Sequence, residues 1–286
     1  MKRFCKFLLI VLLFIGMDKV IRTQTNGFRI EKTEADYAPK IQWETSSSLP
    51  PQEIFDQSYT FLGSGVQCYA FLGADGETVL KVFKHYHLWP SSKILRNLPL
   101  PKFLKNWQNT ILEKREKRIN SIFKSAQIAQ NELPEQTGVL HLNLNPYKER
   151  YPVITIYDKI GIRYQLDLDK TPFLFQKKAD LLFSYLELHK EETKNIIDSL
   201  FTCIHNRTKL GISNSDPIVN RNFGIMDGKV IEIDIGSFVS NPQINTPLFS
   251  KRELFYETLE LKEWIKKHTP ELLDYFEQKL QQAIRL

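Results

Sequence analysis

The residues best suited to chemistry in this sequence are two carboxylates and two amides within one short stretch, residues 211–238. They are Asp216, Asn220, Asn222 and Asp234, and Gly236 closely follows the last of them. Carboxylate and amide oxygens are the ligands that Mg²⁺ prefers in proteins, and the bound ion often contacts a substrate phosphate. The stretch therefore predicts an oxygen-liganded magnesium site if the fold brings these side chains together.

A β-hairpin would bring two of them together. Residues 223–225 and 230–233 have the composition of short strands, and Asp227-Gly228 between them is the strongest two-residue hairpin signal. Such a hairpin places Asn222 at the start of one strand and Asp234 at the end of the other. Because both positions lie at the open end of the hairpin, we expect the two side chains to converge on one point.

A second candidate site lies in residues 59–84, which are predicted to form strand, glycine loop, strand, turn and strand. Gly63 and Gly65 in the loop let backbone N–H groups approach an anion closely. Lys81 stands within an apolar strand, where an ammonium costs desolvation energy unless it meets a carboxylate or a phosphate. The alternatives are a plain hairpin turn and a Lys81 side chain that points to solvent, as that of Lys84 could.

A long helix supplies a carboxylate for Lys81. Apolar residues recur at helical spacing from about residue 104 to residue 131. At about 100° per residue, Glu116 lies at the border of that apolar face, whereas Glu113 points away from it. Glu116 is therefore the better partner for Lys81, and the alternative is that it only joins a solvated charge run, residues 113–118.

The remaining elements are predicted from periodicity and from turn residues. Residues 133–144 and 151–157 are expected to be strands, 158–171 a connector, and 172–209 mostly helical with one buried stripe. Two amphipathic helices are expected at 250–267 and 270–286, and residues before 59 read as a linker or arm with at most one strand.

Composition and charge indicate a soluble globular part with an ordinary core. Hydrophobic residues make up 42% and charged residues 25% of the 286 residues, and the net charge is +6. The basic residues are dispersed, which favours a solvated basic surface over attraction to phosphate-rich partners or acidic lipid, and no specific nucleic-acid binding is expected. The cysteines, Cys5, Cys68 and Cys203, have no spacing typical of a zinc site or a disulfide framework.

The N-terminus carries a targeting signal. Lys2, Arg3 and Lys6 precede or border an apolar run over residues 7–17, which has the length of a signal-peptide core and is short for a membrane span. No convincing cleavage site follows it. We therefore expect an exported or membrane-anchored protein, with possible membrane association through residues 4–17, and a buried N-terminal helix is the remaining alternative.

The order of these features resembles the protein-kinase-like superfamily, in particular its atypical, compact bacterial-type members. The likeness spans residues 59–238 and rests on Val79-Leu80-Lys81, which is similar to the strand motif with the nucleotide lysine, and on Asp234-Ile235-Gly236, which is similar to Asp-Phe-Gly. The resemblance implies an α+β, two-lobed fold with an antiparallel N-lobe sheet plus one helix and a mainly helical C-lobe. The implied ranges are leader 1–24, arm 25–58, N-lobe 59–160 and C-lobe 161–286.

The resemblance also implies a role for each candidate residue. Gly63 and Gly65 would cover the triphosphate of ATP, Lys81 would bind its α and β groups, and Glu116 would orient Lys81. Asn222 and Asp234 would hold Mg²⁺, and Asp216 would position the acceptor hydroxyl and take its proton.

Three departures from the family pattern keep other functions open. Cys68 replaces the third loop glycine, and Asn214-Ser215 replaces the usual His-Arg. The family pattern has four residues between the catalytic Asp and the metal Asn, whereas three separate Asp216 from Asn220 and five separate it from Asn222. The first hypothesis is a Mg-ATP phosphotransferase acting on a hydroxyl of a protein or small molecule. The second is a pseudokinase that senses nucleotide or binds a partner, and the third is an exported surface protein without nucleotide.

Overall fold

The computed structural model describes residues 13, 16–45, 48–84 and 92–285. The chain divides into two compact units, Met1–Leu112 with Asn143–Phe175, and Glu113–Leu142 with Gln176–Leu286. Most long strands belong to the first unit and most helices to the second. The fold is therefore α+β, as expected, and it is compatible with a two-lobed kinase-like fold. The domain ranges expected from the sequence remain predictions.

Seven strands form one sheet in the order β4-β7-β3-β2-β1-β5-β6. They are β1 (Tyr59–Ser64), β2 (Cys68–Gly73), β3 (Thr78–Phe83), β4 (Val139–Asn143), β5 (Val153–Tyr157), β6 (Arg163–Asp167) and β7 (Phe173–Lys177). The hairpin partners β1 and β2, and β2 and β3, are antiparallel, as expected. Strands β5 and β6 are antiparallel as well, although β6 was not expected. Strands β1 and β5 run parallel, so the sheet is mixed rather than purely antiparallel.

Aromatic side chains dominate the core of the first unit. Tyr59, Phe71 and Phe173 are fully buried on one face of the sheet. The preceding arm contributes Phe28, whose ring lies 5.1 Å from that of Tyr69 in an edge-to-face arrangement. Residues 16–24, at the end of the expected leader, form helix α1. The described part of the arm contains no strand: it has single 3₁₀ turns at Ile30–Lys32 and Ile41–Trp43, and helix α2 (Gln52–Phe55).

Helices and two short sheets, β11-β10-β8 and β12-β9, make up the rest of the described chain. The helices are α3 (Ser92–Asn97), α4 (Lys102–Asn131), α5 (Pro134–Thr137), α6 (Leu182–Leu188), α7 (Thr193–Lys209), α8 (Val219–Asn222), α9 (Pro247–Glu257), α10 (Leu259–His268) and α11 (Leu273–Arg285). The strands are β8 (Asp180–Leu181), β9 (Ile212–Asn214), β10 (Phe223–Met226), β11 (Lys229–Glu232) and β12 (Phe238–Ser240). Helix α4 confirms the long helix expected over residues 104–131.

The buried stripe of α7 organises the core of the second unit. Ile196, Leu200 and Ile204 recur at helical spacing and are fully buried, as expected. They share a cluster with Ile265 and Phe276. Each such side chain contributes about 1.5–3 kcal/mol on burial, so this stripe is a main source of the unit's stability.

Four element predictions were wrong in whole or in part. The expected connector 158–171 contains β6, and the expected helical region 172–209 begins with β7 and β8. In the expected strand 133–144, Pro134 begins a single helical turn, because proline fits the first helical position but donates no ladder hydrogen bond. The expected helix 250–267 is two helices, α9 and α10, that meet at Thr258.

Most of the predicted N-terminal signal, including the greater part of residues 4–17, lies outside the described residues. Within the part of the chain that the structure describes, no helix combines the length and the apolar composition needed to cross a membrane.

Candidate functional site

The hairpin predicted at the centre of the site is confirmed. β10 pairs with β11 from Phe223 opposite Glu232 to Met226 opposite Lys229. The two turn residues, Asp227 and Gly228, have φ angles of 51° and 73°. Positive φ at both central positions is the requirement of a type I′ turn, whose twist matches that of the strands it joins. The local sequence therefore sets the register of this hairpin.

The open end of the hairpin joins Asn222 to Asp234 through the backbone. The carbonyl oxygen of Asn222 accepts hydrogen bonds from the N–H groups of Ile233, at 2.8 Å, and of Asp234, at a longer 3.5 Å. Asn222 directly precedes β10, and Asp234 follows the end of β11 by two residues. The hairpin thus joins the backbones of these two residues, and the convergence of their side chains on one point stays a prediction.

The side chain of Asn222 also reaches Asp216. Its amide Nδ2 donates to the carbonyl oxygen of Asp216 at 2.5 Å, and the residue is only 3% exposed. Five residues separate Asp216 from Asn222, and helix α8 accommodates the fifth as part of a single helical turn. In this turn the N–H of Asn222 donates to the carbonyl oxygen of Ile218. Asn220 lies on the exposed side of this turn, with its N–H bonded to Glu260. The fold therefore brings Asn222, and not Asn220, against the backbone of Asp216.

The segment Asp234-Ile235-Gly236 is held from two sides. One carboxylate oxygen of Asp234 accepts the N–H of Gly236 at 3.0 Å, which forms a local turn. The buried hydroxyl of Ser125, on α4, donates to the carbonyl of Ile235 at 2.5 Å and accepts the N–H of Phe238 at 2.7 Å. These bonds fix the backbone on both sides of the half-buried Asp234.

The backbone of Asp216 is held by Asn214. The Asp216 N–H donates to Oδ1 of Asn214 at 3.0 Å, and Nδ2 of Asn214 donates to Glu232 at 2.8 Å. Asn214 is the last residue of β9, which pairs with β12 after the Asp234 segment. The carboxylate of Asp216 is exposed, and among the described residues it has no hydrogen-bond or ion-pair partner.

Glu232 belongs to a buried ionic cluster around Arg207. The guanidinium bonds both carboxylate oxygens of Glu232 at 2.7 Å, Glu253 at 2.9 Å and Glu257 at 2.6 Å. Burial lowers the pKa of Arg207, but the three nearby carboxylates outweigh burial and raise it. Burial also raises the pKa of Glu257 well above its usual value, so its neutral form is favoured. We call these four residues the Arg207 cluster.

Asn222 and Asp234 have the chemistry that Mg²⁺ requires. Because Nδ2 of Asn222 is bonded to Asp216, the amide orientation is set and Oδ1 is the atom left to ligate. In the described part of the chain, no residue donates a hydrogen bond to that oxygen or to the second carboxylate oxygen of Asp234. Two unshared hard oxygens on residues joined by the backbone are a suitable donor set for this ion. Their role as ligands stays a prediction.

The glycine loop differs from the expectation in one detail. Gly63 lies within β1, and the N–H of Gly65 donates to the carbonyl of Cys68 at 3.0 Å. Neither glycine has a positive φ, and a Cβ atom added to either would meet no described atom closer than 3.9 Å. Space above the loop is thus open, but the Gly65 N–H is already bonded, so its contact with a phosphate stays a prediction.

Lys81 and Lys84 lie on opposite faces of β3. Lys81 is half-buried and pairs across the ladder with Ala70. Lys84, which the sequence left free to point to solvent, is buried instead, with 9% of its surface exposed. Its ammonium donates to the Ser64 hydroxyl at 2.6 Å and to the Gly65 carbonyl, and lies 4.2 Å from the centre of the Tyr69 ring.

Burial lowers the pKa of Lys84 to about 8, because its closest described hydrogen-bond acceptors are neutral oxygens. Glu116 is an exposed residue of α4, so the expected element carries it. Lys81 belongs to one compact unit and Glu116 to the other, and their pairing stays a prediction.

Four features of the site were not predicted from the sequence. They are the bonds of Ser125 to the Asp234 segment, the bond of Asn214 to Asp216, the bonds of Lys84 to the glycine loop, and the Arg207 cluster. One signal could have found part of it: Glu232 stands in an apolar strand, Val230-Ile231-Glu232-Ile233, and a buried carboxylate requires a partner as much as Lys81 does. The spacing of Glu253 and Glu257, four residues apart on one helix face, is a second signal.

No protein-family model matches the chain, and no curated protein matches its sequence. Among solved structures, it is similar to the bifunctional kinase-methyltransferase WbdD, with a TM-score of 0.39, 18% identity and coverage of 75% of this chain and 43% of that one. It is also similar to Rv3197 of Mycobacterium tuberculosis, solved in complex with erythromycin, with a TM-score of 0.37, 12% identity and coverage of 80% and 66%. The chain thus spans less than two thirds of the length of either protein.

Proposed function

We propose that this protein is a Mg-ATP-dependent phosphotransferase that moves the γ-phosphate to a hydroxyl group of a protein or a small molecule. The observation that carries the proposal is the connection of Asp216, Asn222 and Asp234 at one end of a hairpin. Phosphoryl transfer needs little covalent chemistry from the protein, so rigid placement of a metal site beside a carboxylate supports this reaction class.

In this proposal Asn222 and Asp234 hold Mg²⁺, which neutralises phosphate charge when bound. Asp216 orients the acceptor hydroxyl and takes its proton, and its exposed carboxylate is accessible to such an acceptor. The bonds through Asn214 and Asn222 keep the Asp216 backbone in place, so little reorganisation is needed at the moment of transfer.

Three of the four nucleotide residues in this proposal, Gly63, Gly65 and Lys81, belong to the first unit, and Glu116 belongs to the second. Lys81 binds the α and β phosphates, Glu116 orients Lys81, and Gly63 with Gly65 covers the triphosphate. The open space beside both glycines supports the last role.

A second candidate is a pseudokinase that binds nucleotide without transferring phosphate. The bonded N–H of Gly65 favours it, because the loop is closed onto Cys68 and onto Lys84 and offers one donor fewer to a phosphate. The replacement of the usual His-Arg by Asn214-Ser215 favours it as well.

Nucleotide binding is tested by the melting temperature of the full chain with and without Mg-ATP. At 100 times the Kd, a ligand adds about 2.7 kcal/mol, which corresponds to a rise of about 5 °C or more for a chain of this size. Asp234→Asn should remove the rise, whereas Asp274→Asn, at an exposed carboxylate on α11, should keep it. An unchanged melting temperature at millimolar Mg-ATP contradicts both nucleotide functions.

The two neighbouring amides provide a matched pair. Asn222→Ala should weaken Mg-dependent binding, since it removes both the ligand oxygen and the bond to Asp216, and Asn220→Ala should leave binding within about twofold. The reverse result would exclude Asn222 as the metal ligand.

Catalysis is tested separately from binding. Phosphate release from labelled ATP, measured on the wild type and on Asp216→Asn, should differ by at least about 100-fold if Asp216 acts as the base. Equal rates with intact Mg-ATP binding would assign the protein to the pseudokinase class.

A further inference from the structure

Residues 94–112 are unusually cationic and apolar at once. They contain Arg96, Lys102 and Lys105 and no aspartate or glutamate, so half of the chain's net charge of +6 falls in this segment. Large apolar residues fill much of the remainder. The combination differs from a solvated charge run, in which both signs alternate.

The structure exposes the apolar residues of this segment. Ile94 is 57% exposed, Leu98 43%, Phe103 78% and Trp107 55%. Phe103 and Trp107 are four residues apart on α4 and therefore share a face of the helix. Isolated exposed apolar residues are common on protein surfaces, but four within 14 residues form a concentrated surface that needs an explanation.

The buried residues of this segment hold its exposed apolar residues in place. Leu95 of α3 is buried, and the buried side chain of Gln108 on α4 donates to the Leu95 carbonyl. The N–H of Leu104 bonds to Pro101, which begins α4 after the proline-containing turn. The two helices are therefore tied together, and their exposure is not that of an unstructured chain.

We propose that residues 94–112 form a docking surface for a lipid bilayer with anionic headgroups. Phe103 and Trp107 enter the headgroup boundary, where an aromatic ring is more favourably placed than in water. Arg96, Lys102 and Lys105, which are all exposed, give the segment a positive charge that attracts anionic headgroups. The long stems of these cations allow their charged ends to reach the phosphates while the apolar side chains insert.

The chemistry of the surface favours a bilayer over other partners. A single-stranded nucleic acid would use the aromatic rings for stacking but would leave Ile94 and Leu98 in water. An anionic bilayer takes both the aliphatic and the aromatic side chains and complements all three cations. The proposal does not depend on the proposed phosphotransfer.

The first experiment reads the surface directly. The intact chain is mixed with vesicles of phosphatidylcholine and phosphatidylglycerol that carry bromine atoms on the acyl chains near the headgroups. Bromine quenches indole fluorescence at contact, so the wild type should be quenched, and Trp107→Phe should lose most of the quenched component. Equal quenching in the wild type and in Trp107→Phe, or no quenching in either, overturns the proposal, whether or not residues 7–17 bind the vesicles.

The second experiment tests the charge complementarity by vesicle co-sedimentation. Lys102→Glu with Lys105→Glu should weaken binding to vesicles containing phosphatidylglycerol by at least about tenfold at 0.1 M salt. The matched control, Lys209→Glu with Lys229→Glu, changes the net charge equally at two exposed lysines of the second unit and should change binding by less than about threefold.

Three results would overturn the proposal. Equal effects of the two charge reversals would mean a nonspecific electrostatic attraction. Equal binding to vesicles of phosphatidylcholine alone and to vesicles that also contain phosphatidylglycerol would mean that the cations of the segment do not contribute to binding. Concentration-dependent self-association that Phe103→Ser abolishes, without any loss of vesicle binding, would assign the surface to a second copy of the chain. Melting temperatures within about 3 °C of the wild type establish that each variant is folded.

Discussion

Two buried cations, one in each compact unit, have pKa values that are shifted in opposite directions. Arg207 has no exposed surface and Lys84 has 9%, and burial acts on both in the direction of a lower pKa. The three carboxylates around Arg207 reverse that effect, whereas the hydroxyl and carbonyl around Lys84 do not. The local partners, rather than burial alone, therefore decide whether a buried cation is permanently charged or able to titrate.

The same difference separates two kinds of support for the candidate site. The Arg207 cluster joins α7, β11 and α9 and reaches Asp216 through Asn214, so it acts as a fixed frame. Lys84 bonds the loop at Ser64 and Gly65 and lies over the ring of Tyr69, and its charge changes at accessible pH. We expect the Arg207 cluster to lose its stabilising effect only when one of its residues is replaced. The support that Lys84 gives to the loop should instead change gradually with pH.

The largest effect is expected from Arg207→Met. Removal of the cation leaves Glu232 and Glu253 buried without their counter-charge, and breaking such a cluster costs about 3–5 kcal/mol. Urea unfolding at pH 7 measures the loss. Arg252→Met, at an exposed arginine of α9, should stay within about 0.5 kcal/mol, and a similarly small change in Arg207→Met would show that the cluster is not a frame.

A smaller, pH-dependent effect is expected from Lys84→Met. The pKa of Lys84 is about 8 in the folded protein and 10.5 as the ordinary value. Between these values the unfolded chain binds the proton and the folded one does not, so the free energy of unfolding rises with pH by about 1–3 kcal/mol. Lys84→Met should lose this rise between pH 8 and 10, whereas Lys148→Met, at an exposed lysine, should retain it. Parallel profiles for all three proteins would contradict the lowered pKa.

Asn214→Ala tests the link from the frame to Asp216. It removes one donor from Glu232 and the acceptor for the Asp216 N–H, with an expected loss of about 1–2 kcal/mol in the free energy of unfolding. If the protein transfers phosphate, the rate should fall while Mg-ATP binding is kept, because Asn222 and Asp234 are unchanged. Ser213→Ala on the same strand is the matched control, and an equal response of the two variants would mean that Asn214 does not position Asp216.

The smallest effect is expected from Glu257→Gln. Burial raises the pKa of Glu257, so the folded protein holds a proton that the unfolded chain releases above its ordinary pKa of 4.5. Stability due to this group therefore falls as pH rises above 4.5, and a glutamine, which is always neutral, does not show that fall. At pH 5 the variant should match the wild type within about 0.5 kcal/mol, and at pH 8 it should be the more stable of the two. A loss of stability at pH 8 would show that Glu257 is charged in the fold.

Part of the candidate site could be predicted from local sequence. The Asp227-Gly228 turn sets the register between Phe223 and Glu232, so it also sets the separation of Asn222 from Asp234. Strands β1 to β3 and helix α4 followed in the same way from composition and periodicity. Strand β8 was missed because its partner, β10, is distant in the chain, and β6 and β7 were missed because short apolar runs do not distinguish a strand from a helix or a connector.

The sequence by itself determined the chemistry that is available: two carboxylates and two amides beside a hairpin, a lysine within a strand, and a cationic apolar segment at residues 94–112. Only the tertiary structure decided that Asn222 is the amide that bonds Asp216, and that the Lys84 side chain bonds the glycine loop instead of pointing to solvent. It also decided that Arg207 pairs with three glutamates. The physical reason is the range of the interactions. Turn geometry depends on adjacent residues, whereas the partners of a buried charge come from elements up to 50 residues away, and no local pattern records them.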